Sequence, residues 1–578
     1  MQKIIKRRQA TSIEHTFSDS LPPLLQKIYA TRGITSDHDI QTDLAGLLKP
    51  ESLKGLPEAT DLLLAALEQQ QRILVVGDFD ADGATSSALA VLALTAMGAD
   101  SVNFLVPNRF EYGYGLTPEI VEVAKQFSPD LIITVDNGIS SIDGVNAANE
   151  AGIQVLVTDH HLPGKTLPAA AAIVNPNQPG CEFESKNLAG VGVIFYLMSV
   201  LRSALRDRQW FQQHNIAEPA MADYLDLVAL GTVADVVPLD KNNRILVAQG
   251  LRRIRAGRSR PGIKALLAVG NRNANRLVST DLGFVVGPRL NAAGRLDDMT
   301  LGIQCLLTDD DYLAGEIARQ MDELNQDRKS IEGSMQREAL ETLKTLKIKE
   351  GNMPYGLCLY DANWHQGVIG ILASRIKDRY HRPVIVFADA DEEGVIKGSA
   401  RSISGLHIRD ALDAIASQHP GLLSKFGGHS MAAGMSLQKE QYPLFVEAFD
   451  QEVRRQLTEE NLQAVLSSDG ELAADDFNLQ LAQTLRDAGP WGQHFPEPLF
   501  DGEFLLVQQR ILKEKHLKLV LAVEDNPQSA IDAIAFNVDI SQWTGLAIEK
   551  VRVAYKLDVN EFRGRQTVQM MVEYIEPI

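Results

Sequence analysis

Residues 72–83 read RILVVGDFDADG. The run before Gly77 is short, apolar and rich in β-branched residues, with no polar alternation. Such a run, closed by glycine, reads as a strand covered on both faces of a parallel sheet. It empties into Asp78, Asp80 and Asp82, three carboxylates at alternate positions. Working outward, LIITV (131–135) runs into Asp136-Asn137-Gly138. IQVLV (153–157) runs into Asp159-His160-His161, and AAIV (171–174) follows. Helical patterns at 86–97 and 142–151 lie between these runs. Strands alternating with helices predict βαβ units and an α/β fold. A further apolar run, 225–230, leads into GTVAD (231–235) and is read as one more acid-bearing strand end.

Ligands of an open parallel sheet bind beyond the carboxyl ends of its strands. Here those ends converge several carboxylates and two imidazoles. So many negative charges repel one another unless cations hold them. Mixed oxygen and imidazole donors suit Mn²⁺ or Mg²⁺ better than structural zinc. One aspartate at a strand end is equally well a helix N-cap. Capping does not require an alternating acid triplet or a paired histidine, so the four ends together point to metal.

The rest of the chain divides by pattern. Residues 1–50 have weak periodicity and read as an extension. A charged stretch without proline, 312–349, reads as a long connecting helix, interrupted near Gly333. Runs at 355–360 and 383–388 predict strands of a second α/β domain ending near residue 457. Alternating stretches at 504–508, 517–523, 530–536 and 551–557 predict a small barrel of about five strands. The expected domains are 1–50, 51–305 with the metal site, 306–350 as connector, 351–458, and 459–578.

Composition bounds the alternatives. The chain has 578 residues, 45% hydrophobic and 23% charged. That is ordinary globular make-up and excludes a disordered, collagenous or rod-like protein. Its three cysteines form no CxxC pair, which argues against a zinc ribbon or disulfide scaffold and fits a reducing cytoplasm. No signal peptide is expected, since no apolar stretch follows Lys3, Lys6, Arg7 and Arg8. No uncharged apolar run reaches about 18 residues, so no membrane span is expected. Net charge is −19. Against that background, residues 251–295 hold ten Lys or Arg and one acid, Asp281. This stretch reads either as a site for an anionic partner or as a solvated basic face.

In order, GDFDADG (77–83), DNG (136–138), DHH (159–161), GTVADVVPL (231–239) and GGHSMAAG (427–434) resemble the DHH phosphoesterase superfamily with its associated DHHA1 domain. PNRFEYGYG (107–115), NLAGVGV (187–193) and GPRLNAAGR (287–295) are similar to segments of the superfamily's single-strand-specific DNA exonucleases. The resemblance covers nearly the whole chain, the barrel mainly by position and strand pattern. It implies a parallel-sheet DHH domain, a long helix, a smaller α/β DHHA1 domain and a C-terminal OB-type β-barrel. It also implies two divalent metal ions, Mn²⁺ or Mg²⁺, bound by Asp80, Asp82, Asp136, His160 and Asp235, with Asp136 bridging. Asp78, Asp159 and His161 complete the catalytic set. The first two orient ligands, and His161 meets the phosphate. One position departs from the family pattern: Val76 stands where many relatives carry a metal-binding histidine.

The resemblance further implies substrate contacts from Arg289, Asn291, Arg295, Gly427, Gly428 and His429. Arg109, Ser399 and Arg401 would grip a 5′-terminal phosphate and so set polarity. In the barrel, Trp491, Phe495, Phe500, Lys513, Lys515, His516 and Lys518 are candidates to meet a single strand. The implied activity is two-metal, in-line 5′→3′ exonucleolytic hydrolysis of single-stranded DNA to 5′-mononucleotides, in bacterial recombination and repair. Single-strand-binding protein and a RecQ-type helicase are the implied partners, in the cytoplasm. Two alternatives stay open: a phosphodiesterase for short oligonucleotides or cyclic dinucleotides, and a non-catalytic DNA-binding scaffold.

Overall fold

A computed structural model describes residues 3–9, 15–108, 112, 114–345, 353–524, 526–543 and 548–578. The chain forms two compact units. The smaller comprises Met1–Arg7 and Gln326–Ser468, the larger Arg8–Asn325 and Asp469–Ile578. Strand β1 (Ile4–Arg7) belongs to the smaller unit, where it pairs in parallel with a strand more than 450 residues later.

The larger unit holds a five-stranded parallel sheet. Its strands are β2 (Ile73–Gly77), β3 (Val102–Leu105), β4 (Leu131–Val135), β5 (Gln154–Thr158) and β6 (Ala172–Val174), in the order β3-β2-β4-β5-β6. β2 and β4 are buried along their whole length. That is why they read as continuous apolar runs. β3 escaped the sequence reading because it is a half-covered edge strand, VNFL, with a polar residue inside. The chain leaves β2 toward β3 and returns to β4 on the other side. The strand order therefore reverses between β2 and β4, which opens a crevice at their carboxyl ends.

One expectation is corrected. The run at 225–230 is not a strand; it lies in the helix Leu225–Ala234. That helix is buried against the helices Ala81–Ala96, Gly190–Asp207 and Lys241–Arg255. A helix covered on every side loses its apolar period and looks like a buried strand in sequence.

The smaller unit carries β7 (Leu357–Tyr360), β8 (Val384–Asp389), β9 (Val395–Arg401), β10 (Lys425–Gly428), β11 (Ala432–Gln438) and β12 (Val465–Ser468), the partner of β1. The sheet order is β10-β11-β9-β8-β7, with only β7 and β8 parallel. The helix Asp311–Thr345 is continuous through Gly333, so the expected break is absent.

The larger unit ends in a closed barrel of β13 (Phe500–Leu512), β14 (His516–Val523), β15 (Asn526–Ala535), β16 (Lys550–Phe562) and β17 (Arg565–Pro577). Closure removes the free sheet edges. Trp491, Phe495 and Phe500 are buried, and the first two stack at 5.1 Å. They are core residues and offer no face to a nucleic-acid base, contrary to the candidate role above. Asp469, at the head of the barrel segment, takes a two-pronged ion pair from Arg32 at 2.8 and 3.0 Å. Both side chains are buried, so the N-terminal segment is clamped to the barrel entrance. Among the described residues, no helix is long and apolar enough to cross a membrane.

Candidate metal centre

The acidic loop after β2 is shaped by its own carboxylates. Asp80 caps the helix Ala81–Ala96, its Oδ1 accepting from Asp82 N at 2.9 Å and Gly83 N at 3.1 Å. Asp78 accepts from Phe79 N at 2.7 Å. Asp82 lies on the first turn and is buried. Its two oxygens accept from Gly190 N at 2.6 Å and Val191 N at 2.9 Å, the first residues of the next long helix. The three carboxylates of this loop are therefore each held by backbone donors.

β4 ends in a sharp turn. Asp136 has φ +62°, a left-handed conformation that aspartate tolerates better than most residues. Asn137 locks the turn by donating to Val76 O at 3.1 Å and Val135 O at 2.9 Å, tying β4 to β2. A Cβ on Gly190 would come within 2.6 Å of Asp136 Cβ, so only glycine lets the helix Gly190–Asp207 start there.

β5 delivers the histidines. Asp159 Oδ1 accepts from His161 Nδ1 at 2.8 Å, and Oδ2 accepts from Ile139 N at 2.9 Å. Asn177 Nδ2 donates to His160 O at 2.6 Å, and Asn175 Nδ2 donates to His161 O at 2.9 Å. Tyr114 adds a hydroxyl 3.2 Å from Asp136 O and 3.4 Å from the His161 ring. Asp235 follows the helix Leu225–Ala234 at its C-terminal end, and its Oδ2 lies 3.5 Å from His160 Nε2.

Three groups of donors result: Asp78, Asp80 and Asp136; Asp82, His160 and Asp235; and Asp136, His160 and His161. Within each group the donor atoms lie within 4.8 Å of one another. Asp136 and His160 each belong to two groups. Asp136 Oδ1 and His160 Nε2 are 3.0 Å apart and fully buried, yet neither makes a hydrogen bond. Buried polar atoms are almost always satisfied. Two buried ligand atoms this close with no hydrogen bond between them fit a shared divalent cation, as does the donor set.

The electrostatics agree. Burial, then the Asp235 charge, pushes the Asp82 carboxyl up to about 7. Burial, then Asp80, pushes Asp235 up to about 8. Burial, with Asp82 and Asp80, drives Asp136 well above the usual carboxylate range. Burial lowers His160, with His161 adding to the effect, and keeps its ring neutral as a ligand must be. Burial opposes charge on His161, but the hydrogen bond to Asp159 together with the charges of Asp159, Asp235 and Asp78 raises the ring to about 9. Val76 is buried inside β2 and supplies no ligand.

The remaining candidate residues fall in two places. The helix Gly287–Leu296 carries Arg289, Asn291 and Arg295 in the larger unit. Asn291 Oδ1 accepts from Ala81 N at 2.8 Å, so this residue braces the acidic loop. Arg289 is buried between Asp322, at 2.7 Å, and Val285 O, at 2.6 Å. In the smaller unit, Ser399 and Arg401 stand on β9, Gly427 and Gly428 on β10, and His429 just after it. Arg401 Nη1 donates to Ser399 Oγ at 3.2 Å and Ala400 O at 2.8 Å. Space is open above Gly427 and above Gly434, its cross-strand partner. Arg109 lies outside the described residues. Sequence reasoning missed Tyr114, Asn175, Asn177, Gly190 and Val191 as supports of the site. Tyr114, Gly190 and Val191 fall within two of the motifs, and the asparagines carry no signal beyond a turn-rich stretch after β6.

Comparison with known proteins matches this layout. The description "DHH family, N-terminal domain" fits residues 72–232, "DHHA1 domain" fits 353–455 and "RecJ OB domain" fits 468–574. The chain is 54% identical over its full length to the full-length single-stranded-DNA-specific exonucleases RecJ of Dickeya dadantii and of Escherichia coli. The crystal structure of RecJ from Thermus thermophilus in complex with Mn²⁺ superposes with a TM-score of 0.76 at 30% identity, covering 98% of this chain and 80% of that one. A Mg²⁺ complex from the same source gives 0.72 at 28% identity, covering 98% and 78%. A domain order of this kind, an acidic centre built for divalent cations and full-length identity above half lead to one assignment: the chain belongs to the RecJ family of single-stranded-DNA-specific exonucleases.

Proposed function

We propose that this chain is a metal-dependent exonuclease that hydrolyses single-stranded DNA from its 5′ end to 5′-mononucleotides. The observation that carries the reading is the orphaned, buried pair of Asp136 Oδ1 and His160 Nε2 at the meeting of three donor groups. Asp80, Asp82, Asp136, His160 and Asp235 would hold two divalent ions, with Asp136 shared between them and Asp78 close to the first. Mn²⁺ or Mg²⁺ held there lowers the pKa of water and draws in the phosphate oxygens.

The chain's own residues supply the rest. The amides of Gly190 and Val191 hold Asp82 in a fixed orientation. Asp159 fixes the orientation of the His161 ring through Nδ1. Paired with Asp159, the His161 ring is placed to offset the negative charge that builds on a phosphate during attack. Asn291 keeps the acidic loop in place. Arg401 beside Ser399, with the open backbone at Gly427, suits a terminal phosphate, and His429 is assigned to the same end. The exposed Lys513, Lys515 and Lys518 of the β13–β14 hairpin suit a strand's backbone. In the cell, the same reading places the enzyme in the cytoplasm. There a RecQ-type helicase would supply the strand and single-strand-binding protein would present it.

A time course on matched strands labelled at the 5′ or the 3′ end tests the reading. Immediate release of 5′-labelled mononucleotide with Mn²⁺, abolished by chelator, is expected. Initial release of the 3′ label would refute the polarity. Arg401→Ala should lower the preference for a 5′-phosphorylated end about tenfold in kcat/KM, and an unchanged preference would move the phosphate site elsewhere.

A further inference from the structure

Three large apolar side chains stand in water beside the metal centre. Leu162, 59% exposed, directly follows His161. Val236, 62% exposed, directly follows Asp235. Phe284 is 80% exposed, the most open of the large apolar side chains described. Scattered exposed hydrophobics are normal on a protein surface. These differ in where and how they are held.

Phe284 lies in a single π-helical turn, Leu282–Val286, immediately before the helix that carries Arg289, Asn291 and Arg295. Such turns are rare and concentrate at functional sites. The turn packs on the helix Leu225–Ala234, which ends in Asp235, and Gly283 faces Val233 closely. One turn further on, Asn291 is bonded to the acidic loop at Ala81 N. The segment is thus a strap anchored to the metal centre on both sides of Phe284. Leu282, Val285 and Val286 are buried in the core, so the strap is fixed and the phenyl ring is left outside. Val236 has φ +61°, a left-handed conformation that is a genuine outlier for a β-branched residue. Strain of this kind persists where it serves a site.

We infer that Phe284 is a stacking platform for a base of the single strand whose backbone is being cut. This rests on the reading above and adds a specificity element to it. A base presents an apolar face whatever its sequence, so a lone aromatic plate grips every nucleotide alike. The platform meets an unpaired base, whereas a base stacked inside a duplex has no free face. The phenyl ring would therefore help select single strands and set the register of the strand against the metals.

The test uses full-length protein carrying Asp136→Ala, so that binding is read without turnover. Fluorescence anisotropy with a 5′-phosphorylated oligonucleotide gives its Kd. Adding Phe284→Ala should weaken binding about 5- to 100-fold, the range for loss of one stacked base. Phe284→Trp should retain it. Scanning a single abasic position along the oligonucleotide should reveal one position whose loss weakens the Phe284 protein and leaves the Phe284→Ala protein unaffected. Tyr312→Ala, at another exposed aromatic, should bind normally. An unchanged Kd in Phe284→Ala overturns the platform, as would abasic penalties identical in both proteins. In that event the exposed ring serves a protein partner or nothing. Failure of the unmutated chain to cut labelled strands would refute the exonuclease reading instead, while a Phe284-dependent Kd would still establish the platform.

Discussion

Between residues 251 and 295, Arg252 pairs with Asp43, Arg253 with Asp223, Arg260 with Asp309, Arg272 with Asp281, Arg276 with Glu561 and Arg289 with Asp322. Six of the ten basic residues in that stretch are thus neutralised within the larger unit. At the metal centre the opposite holds. Asp80, Asp82, Asp136 and Asp235 converge with no Lys or Arg ion pair among the described residues, and two buried donor atoms go unsatisfied. Both regions look equally charged in sequence. One is charge already paired within the unit, and the other is charge that meets no Lys or Arg partner among the described residues. The difference lies in partners distant along the chain: Glu561 sits in the barrel, almost 300 residues from Arg276.

The largest effect expected from breaking this contrast is at the shared ligand. Asp136→Ala should reduce turnover at least about 1,000-fold while binding of single-stranded DNA in chelator changes less than about threefold. Retained turnover would remove Asp136 from the centre. Next, Asp159→Asn should lower activity about 10- to 100-fold, since it releases the His161 ring without removing a ligand. Loss of the raised His161 pKa, read by NMR titration, should accompany it.

The acidic centre also predicts an unusual pH dependence. Asp82, at about 7, and Asp235, at about 8, sit above their unfolded values, as does His161 at about 9. In each case the folded chain holds protons that the unfolded chain has released. Metal-free protein should therefore lose stability as pH rises from about 4 to about 9, a slope set by the difference in bound protons. Thermal melts in chelator should show a falling Tm over that window. Mn²⁺ at about 100 times its Kd should restore about 2.7 kcal/mol at the alkaline end. A flat Tm in chelator would mean that the carboxylates are already compensated.

The smallest effect belongs to the basic stretch. Arg252→Ala removes an exposed pair and should change stability by less than about 0.5 kcal/mol. It should also leave the salt dependence of DNA binding unaltered. A shallower salt slope would instead place Arg252 against a phosphate and blur the contrast between the two regions.

Much of the site was legible because its parts are local. Asp78, Asp80 and Asp82 sit within one turn of β2's end, and His160 and His161 are neighbours. An acid triplet and a paired histidine at strand ends carry their chemistry in consecutive letters. The strands β2, β4 and β5 were legible because full burial on both faces leaves an unbroken apolar run. Where burial gave no pattern, reading failed. The helix Leu225–Ala234 looks like a strand for the same reason that β2 looks like one. The half-covered β3 looks like nothing. Trp491, Phe495 and Phe500 could be read either as core or as a binding surface, because aromatic character alone does not tell a core from a groove.

The sequence by itself determined which groups could hold metal, and that all of them but Asp235 lie at the ends of a parallel sheet. Propensity, burial pattern and motif spacing act over a few residues, and all of them agree there. Only the tertiary structure decided which charges remain uncompensated. It seats Asp82 on the amides of Gly190 and Val191, joins Asn291 to Ala81, buries Arg289 against Asp322, and leaves Phe284 in solvent. Each of those outcomes depends on residues that meet only when distant segments pack. Electrostatic and hydrogen-bond energies follow distance in space, which the order of residues along the chain does not record.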